Sequence, residues 1–165
     1  MNQTQQNLWT AFAGESQANR KYLAFAAQAD KEGLHQAAKL FRAAAAAETI
    51  HAHAHLRALK AVGTTLENLK VAVAGETEEF TNMYPAMISE AEAAGEKAAR
   101  QSFAFANEVE KVHAALYQKA IDTLAAMAEC DYYVCKVCGH THEGEEAPEK
   151  CPVCGANANA FFKAE

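Results

Sequence analysis

Apolar residues recur with a helical period over the first four-fifths of the chain, and glycines divide this region into segments. Thr4 can cap the first helix and Gly33 ends it, while Thr64 can cap a short helix that follows Gly63. We expect Pro85 to kink the third long helix, because proline removes a backbone donor. The predicted helices cover residues of about 4–32, 34–62, 66–74, 76–94 and 96–127. Four long helices predict a mainly α protein, a four-helix bundle.

The pattern changes after residue 130, where aromatic, Cys, Gly and Pro residues replace the helical period. A segment this short cannot be held together by hydrophobic burial alone, so something other than an apolar core must stabilise it. We therefore predict two domains, a helical bundle over residues 1–129 and a small metal-binding domain over residues 130–165.

Charge and hydropathy narrow the classes of function. The formal net charge of -6, without a run of Lys or Arg, speaks against a nucleic acid or an anionic membrane as the partner. No apolar stretch is long enough for a membrane span, and the N-terminal residues do not resemble a signal peptide. We expect a cytoplasmic protein whose partners are small molecules or other proteins.

Glutamate and histidine residues form a pattern that occurs twice along the predicted helices. Each copy consists of one Glu followed, one helix later, by an E-x-x-H pair; the residues are Glu15, Glu48 and His51, then Glu76, Glu110 and His113. The two lone acids precede their pairs by 33 and 34 residues, as in an internal repeat of helix pairs. An E-x-x-H pair presents a carboxylate and an imidazole on one helical face, and hard oxygen with imidazole suits iron or manganese. This pattern predicts a dinuclear site.

Further residues lie near the predicted ligands on the same helical faces. Glu79 follows Glu76 by one turn and is a candidate for an additional ligand, whereas Glu78 points away. Five converging carboxylates repel one another in a dry core unless cations compensate them. Tyr22 lies on nearly the same helical face as Glu15, where its hydroxyl could form a hydrogen bond with a ligand carboxylate and hold it in position. The alternative interpretation is that these acids lie on solvent-exposed faces of the helices and bind no metal.

Two other histidines, His53 and His55, alternate with His51 along the second predicted helix. His53 faces away from the pair of Glu48 and His51. For His55, a supporting or packing role is favoured over direct ligation.

The cysteines indicate a second metal site. Two C-x-x-C-G pairs contain Cys135 with Cys138 and Cys151 with Cys154, and the fifth thiol, Cys130, lies outside both. Four thiolates bind one tetrahedral ion, and the glycines permit the tight turns. Spacing alone leaves iron and zinc open, but a redox-active dinuclear site in the same chain favours iron, which exchanges single electrons.

The whole chain resembles the rubrerythrin family. The motifs that carry the resemblance are Glu15, E-T-I-H at 48–51, G-E-T-E-E at 75–79, M-Y-P at 83–85, E-K-V-H at 110–113, C-K-V-C-G and C-P-V-C-G. It implies a ferritin-like di-iron bundle, with an oxo- and carboxylate-bridged pair of irons, followed by a rubredoxin-like domain that holds one iron on its four cysteines. It also implies that Glu79, Tyr22 and Tyr84 take part in catalysis near the di-iron ligands.

The function that the resemblance implies is peroxidase activity in oxidative-stress defence. Hydrogen peroxide is reduced to water with electrons that come from NAD(P)H through a rubredoxin or a reductase. In the implied homodimer, the thiolate-bound iron of one subunit serves the di-iron site of the other. In our mechanistic hypothesis, Glu79 moves or exchanges with His51 as the oxidation state changes, and a protonated carboxylate supplies a proton. The alternatives are a ferritin-type ferroxidase and an interaction protein with a zinc ribbon.

Overall fold

The computed structural model describes all residues, Met1–Glu165, and divides them into two compact units, Met1–Gly63 and Thr64–Glu165. The helices are α1 (Gln3–Lys31), α2 (His35–Leu59), α3 (Thr65–Glu78), α4 (Tyr84–Ala93) and α5 (Lys97–Thr123), and the strands are β1 (Tyr132–Cys135), β2 (Thr141–Glu143) and β3 (Phe161–Lys163). Short 3-10 turns cover Leu124–Ala126 and Ala158–Ala160. The predicted domain boundary between residues 129 and 130 differs from this division and stays a prediction.

The first unit is a hairpin of α1 and α2. Asn2, rather than the predicted Thr4, caps α1, because its side chain accepts from the Gln5 backbone while Gln5 bonds back to it. Gly33 turns the chain with a φ of 75°. The helices meet through small side chains, with Ala26, Ala29 and Ala38 buried at the contact.

The second unit begins with α3, which covers a region where the sequence predicted the end of one helix and the start of the next. Thr64 caps α3 in a reciprocal arrangement with Glu67, as predicted, but α3 continues through Gly75 instead of ending before it. Glycine weakens a helix by only about 1 kcal/mol, and packing of α3 against α5 offsets that.

The irregularity expected at Pro85 takes the form of a π-helical segment, Glu79–Met83, directly before α4. The backbone N–H of Tyr84 donates to the carbonyl of Glu79, five residues back. Pro85 then lies in the first turn of α4, where a missing N–H is tolerated. Such segments insert one residue into a helix and re-aim its side chains, which often marks a functional site.

The last part of the second unit is a three-stranded antiparallel sheet with β1 in the centre. Val134 of β1 pairs with Thr141 of β2 on one side and with Phe162 of β3 on the other. Cys135, Cys151 and Phe161 form its small buried core. With so little apolar burial, the sheet is expected to depend on a metal ion bound by the cysteines, and this stays a prediction.

The sheet rests on α5 of the same unit. A side chain built at Gly139 would meet Val109 at 3.9 Å, and the Lys119 ammonium donates to both carboxylate oxygens of Glu143 at 2.6 and 2.7 Å. Strand β2 therefore follows the surface of the helix that carries the second E-x-x-H pair. None of the helices has the length and hydropathy required of a membrane-spanning segment.

Candidate metal centres

The first unit brings three predicted ligands together. Donor atoms of Glu15 from α1 and of Glu48 and His51 from α2 all lie within 4.8 Å of one another. His51 Nδ1 lies 2.9 Å from the nearer Glu48 oxygen and 3.9 Å from Glu15. A hydrogen bond shared with Glu15, and a second with His51, lower the pKa of Glu48. The triad therefore offers an ionised carboxylate to a cation.

The second unit contains an equivalent triad. Glu76 of α3 lies within 4.8 Å of Glu110 and His113 of α5, whose Nδ1 and carboxylate oxygen are 2.7 Å apart. All three side chains are half-buried. The i,i+3 spacing aligns Glu110 with His113 along α5, and the pairing of α3 with α5 adds the acid from the neighbouring helix.

Like charges and burial make this second triad electrostatically unbalanced. The pKa of Glu76 is raised to about 7. Burial is the largest cause of this shift, and the hydrogen bond to Glu110 and the charges of Glu110 and Glu79 add to it. A carboxylate that resists ionisation in the metal-free protein is stabilised when a cation arrives. The chemistry of the second triad thus fits a bound metal ion.

The π-helical segment begins with one more acid, Glu79. Glu79 is outside the 4.8 Å cluster, but it is half-buried, and burial together with the charge of Glu110 raises its pKa. The pKa of Tyr84 is also raised, first by burial and then by the charges of Glu79, Glu110 and Glu76. Glu78, in contrast, is exposed and accepts from the Asn82 side chain. The role of Glu79 as a ligand stays a prediction.

The third predicted catalytic residue, Tyr22, lies in the first unit. Its ring packs against Phe25 and Phe41, with centroids 6.3 Å away in both cases. Its proposed hydrogen bond to Glu15 stays a prediction. His53 is exposed and His55 is half-buried, and neither joins the cluster of Glu15, Glu48 and His51.

The four paired cysteines come together in one cluster. Their sulfur atoms lie within 4.8 Å of one another, with 3.7 Å between Cys135 and Cys154 and 3.5 Å between Cys138 and Cys151. Sulfurs placed about 2.3 Å from a central ion at tetrahedral angles stand about 3.8 Å apart. The distances fit one ion bound by four thiolates, and none of these cysteines is in a disulfide.

In each of the two C-x-x-C-G turns, a backbone N–H group donates to a cysteine sulfur and so favours its negatively charged form. The residue two positions after each pair, His140 and Ala156, donates its backbone N–H to Cys138 and Cys154 respectively. Burial outweighs these bonds and raises the pKa of both thiols in the absence of metal. Gly139 and Gly155 adopt φ values of 84° and 76°, which the turns require. A bound cation removes the burial penalty by neutralising the thiolates.

One contact between α5 and the sheet could not be foreseen from the sequence. His113 Nε2 lies 2.9 Å from the hydroxyl oxygen of Thr141 in β2, a residue 28 positions later in the chain. A cavity of about 360 Å³, lined mainly by apolar side chains such as Leu69, Leu116 and Met127, opens beside this contact. No motif marks Thr141, because its position depends on how β2 lies on α5.

Comparisons with known proteins agree with this organisation. Family models match residues 6–121 as "Rubrerythrin" and residues 133–162 as "Rubrerythrin, rubredoxin-like domain". Nigerythrin from Nitratidesulfovibrio vulgaris is 36% identical, covering 96% of this chain and 85% of its own length. Rubrerythrin-2 from Clostridium acetobutylicum is 34% identical, covering 93% of this chain and 92% of its own.

A solved structure of nigerythrin in a partially reduced state has a TM-score of 0.61 at 34% identity, covering 99% of this chain and 88% of that one. These similarities confirm the predicted fold class, mainly α and ferritin-like with a small rubredoxin-like C-terminal domain. With the two triads and the four-cysteine cluster, they also confirm the predicted cofactors, a di-iron centre and one iron bound by cysteine thiolates.

Proposed function

Because this chain belongs to the rubrerythrin family, a group of iron-dependent oxidoreductases of oxidative-stress defence, we propose that it is a peroxidase that reduces hydrogen peroxide to water. The reaction consumes one peroxide, two electrons and two protons and yields two waters. The irons, when bound, supply the electrons and polarise the O–O bond as Lewis acids. The protein supplies the ligands, the protons and the delivery of further electrons.

One observation carries the choice of a peroxidase over a ferroxidase. The four-cysteine module contacts α5, the helix that presents Glu110 and His113, through the hydrogen bond between Thr141 and His113. A ferroxidase takes its electrons from ferrous substrate and needs no resident electron carrier. A peroxidase must be reduced again after each turnover, and this module lies beside a metal ligand of the site that it would serve.

Glu79 and Tyr84 are proposed to handle the protons. Burial and the neighbouring acids raise the pKa of both side chains, so each holds its proton more tightly than it would in water. For Glu79 this favours a carboxyl that still has a proton to donate to an oxygen that gains negative charge as the O–O bond breaks. For Tyr84 the raised pKa makes the hydroxyl a weaker acid, so its proposed role is to donate a hydrogen bond to that oxygen and keep its proton. The ring of Tyr84 also packs against the ring of Phe103, with 6.3 Å between the ring centroids.

Substitution of Glu79 tests this assignment. We expect Glu79→Gln to lower peroxide turnover by about 100-fold or more, the usual effect of removing a general acid, while the iron content stays at two per di-iron site. Glu78→Gln removes the same charge from an exposed neighbour and should change neither quantity. Turnover of Glu79→Gln equal to that of the parent would remove Glu79 from the mechanism.

The electron source proposed here is NAD(P)H, acting through a rubredoxin or an NAD(P)H-dependent reductase. The reducing cytoplasm is the proposed location, since it keeps the four thiolates available for iron. Reduction of the thiolate-bound iron by NADH with each candidate carrier, followed by its visible absorption, tests the donor. Reduction by neither carrier would refute this part of the proposal.

We propose a homodimer, because the first unit exposes large apolar side chains. Leu40 and Ile50 on α2 keep 70% and 65% of their surface exposed, although the core of that unit is built from alanines. Exposed apolar patches on helices usually mark an interface. Light scattering should give twice the chain mass. Leu40→Asp should weaken the dimer, and a monomeric parent would refute the proposal.

The activity itself is tested by single turnover. The fully reduced protein is mixed with hydrogen peroxide or with air-saturated buffer, and the ferric-thiolate absorption is followed. We expect the colour to return faster with peroxide. Faster recovery with oxygen, accompanied by uptake of added ferrous ion, would favour the ferroxidase, and a colourless cysteine module would favour the zinc-bearing interaction protein.

A further inference from the structure

The first metal-binding triad joins two helices whose buried interface is smooth. Glu15 comes from α1, whereas Glu48 and His51 come from α2. Methyl groups form shallow ridges, so burial of alanine favours several axial positions of one helix on the other almost equally. The fully buried residues of the two helices are all alanines, Ala26 and Ala29 on α1 and Ala38, Ala45 and Ala52 on α2.

Aromatic packing adds contact area to this interface without fixing its register. The rings of Tyr22 and Phe25 on α1 lie 6.3 and 5.6 Å from the ring of Phe41 on α2, between centroids. Apolar contacts of this kind are non-directional and tolerate small displacements. A directional contact is therefore needed to bring Glu15 level with its partners on α2.

Asn19 supplies such a contact one helical turn after Glu15. Its side-chain amide donates to the carbonyl of Ala45 at 2.7 Å and to Thr49 Oγ1 at 2.9 Å, and both acceptors belong to α2. Because a backbone carbonyl can only accept, the nitrogen of the amide must face α2. A hydrogen bond weakens steeply with distance and angle, so these two bonds define one position along the helix axis.

The two acceptors of Asn19 lie on either side of the ligand Glu48. Ala45 precedes Glu48 by three residues and Thr49 follows it directly, so the amide contacts the turn of α2 that carries the ligand. The Thr49 hydroxyl donates in turn to the Ala45 carbonyl at 3.2 Å. The contact that sets the register and the ligand that depends on it therefore share one helical turn.

A small slide of α1 along α2 would move Glu15 out of reach of the shared ion. One residue of helix corresponds to about 1.5 Å along the axis, whereas metal–ligand distances vary by only about 0.2 Å. A slip of half a residue, about 0.75 Å, exceeds what a coordination bond accepts without a strained side chain. The register of the two helices and the ligation by Glu15 are thus linked.

We propose that Asn19 is a positioning residue: its amide fixes the axial register of α1 on α2 and so holds Glu15 within reach of the ion that Glu48 and His51 bind. A single asparagine plays the same part in coiled coils, where it selects one register at a cost in stability. The proposal concerns the assembly of the metal site, and its test is separate from that of the peroxidase reaction.

The second triad cannot use the same contact. The residue four positions after Glu76 is Phe80, which has no side-chain donor and lies in the π-helical segment. In that unit, Glu76 and Glu110 are joined directly by a hydrogen bond between their side chains. The effect of Asn19 should therefore be confined to one of the two metal positions.

The test uses Asn19→Leu, which keeps a branched side chain of similar size and removes the donors. Ser16→Ala is the matched control, because Ser16 lies next to Glu15 but its hydroxyl donates to the carbonyl of Phe12 in its own helix. The full-length metal-free proteins receive one equivalent of Zn²⁺ to fill the cysteines and are then titrated with Co²⁺ without air. Visible absorption of Co²⁺ reports binding by carboxylate and imidazole ligands, and urea denaturation before metal is added gives the free energy of unfolding.

We expect Asn19→Leu to weaken the binding of one Co²⁺ ion by about 10-fold or more and to alter its spectrum, as loss of a group that orients a metal ligand commonly does. The free energy of unfolding should equal or exceed that of the parent, because an apolar side chain of similar size can replace a partly buried polar one without loss. Ser16→Ala should match the parent in Co²⁺ affinity and spectrum.

Asn19→Ala provides a second variant that removes the same donors and extends the alanine interface, so it decides the question if Asn19→Leu does not fold. It should lose affinity for the same Co²⁺ ion. Parent-like affinity and spectrum in a folded Asn19→Leu or Asn19→Ala protein would overturn the positioning role. An equal loss of Co²⁺ binding in Ser16→Ala would overturn it as well, because the contact between the helices would then not be the cause.

Discussion

Removal of the charge at Glu76 should stabilise the metal-free protein and disable the metal-bound one. Glu76 lies against Glu110 in the second triad, and burial, that neighbour and Glu79 raise its pKa from 4.5 to about 7. In an unfolded chain the same carboxyl ionises near 4.5. Between these two pH values the folded protein keeps a proton that the unfolded chain has lost. The stability of the metal-free protein therefore falls as the pH rises through this window.

The size of the effect follows from the same two values. A rise from 4.5 to about 7 corresponds to about 3 kcal/mol at 1.36 kcal/mol per pH unit. Glu76 is only half-buried, so solvent screening reduces this, and we expect about 1–2 kcal/mol. Glu76→Gln has no carboxyl to ionise. Its gain in the free energy of unfolding should be small at pH 5 and reach the full value at pH 8.

Urea denaturation of the metal-free proteins at pH 5 and pH 8, followed by circular dichroism, measures this gain. Glu78→Gln is the matched control, since it removes an exposed charge two residues away. With ferrous ion added, the order should reverse, because the parent is stabilised by metal binding and Glu76→Gln has lost a ligand. Equal stability of parent and Glu76→Gln at pH 8, or a gain independent of pH, would refute the reasoning.

Three further predictions concern local structure. Thr64→Ala removes the cap that pairs with Glu67 and should lower the free energy of unfolding by about 1 kcal/mol, measured by urea denaturation, with peroxide turnover as the unaffected control. Gly139→Ala places a Cβ at a φ of 84° and should lower the melting temperature by an amount equivalent to about 1–2 kcal/mol; no loss would show that the turn relaxes freely. Cys151→Ser should abolish the ferric-thiolate absorption while the far-ultraviolet spectrum stays helical; retained colour would mean that another group replaces the thiolate.

The sequence by itself determined the features that depend on residues close together in the chain. The helical period of apolar residues located the long helices, the i,i+3 spacing aligned Glu48 with His51 and Glu110 with His113, and each C-x-x-C-G indicated a knuckle. These features were readable because a helix or a tight turn fixes the relative positions of residues three or four apart, whatever surrounds it.

Only the tertiary structure decided the rest. Packing on α5 carried α3 through Gly75, and the irregularity expected at Pro85 took the form of a π-helical segment that begins at Glu79. The contact of Thr141 with His113 joins residues 28 positions apart and depends on how a strand lies across a helix. Such placements follow from the shapes of two surfaces that meet, and no local spacing encodes them, so they remain invisible until the elements are assembled.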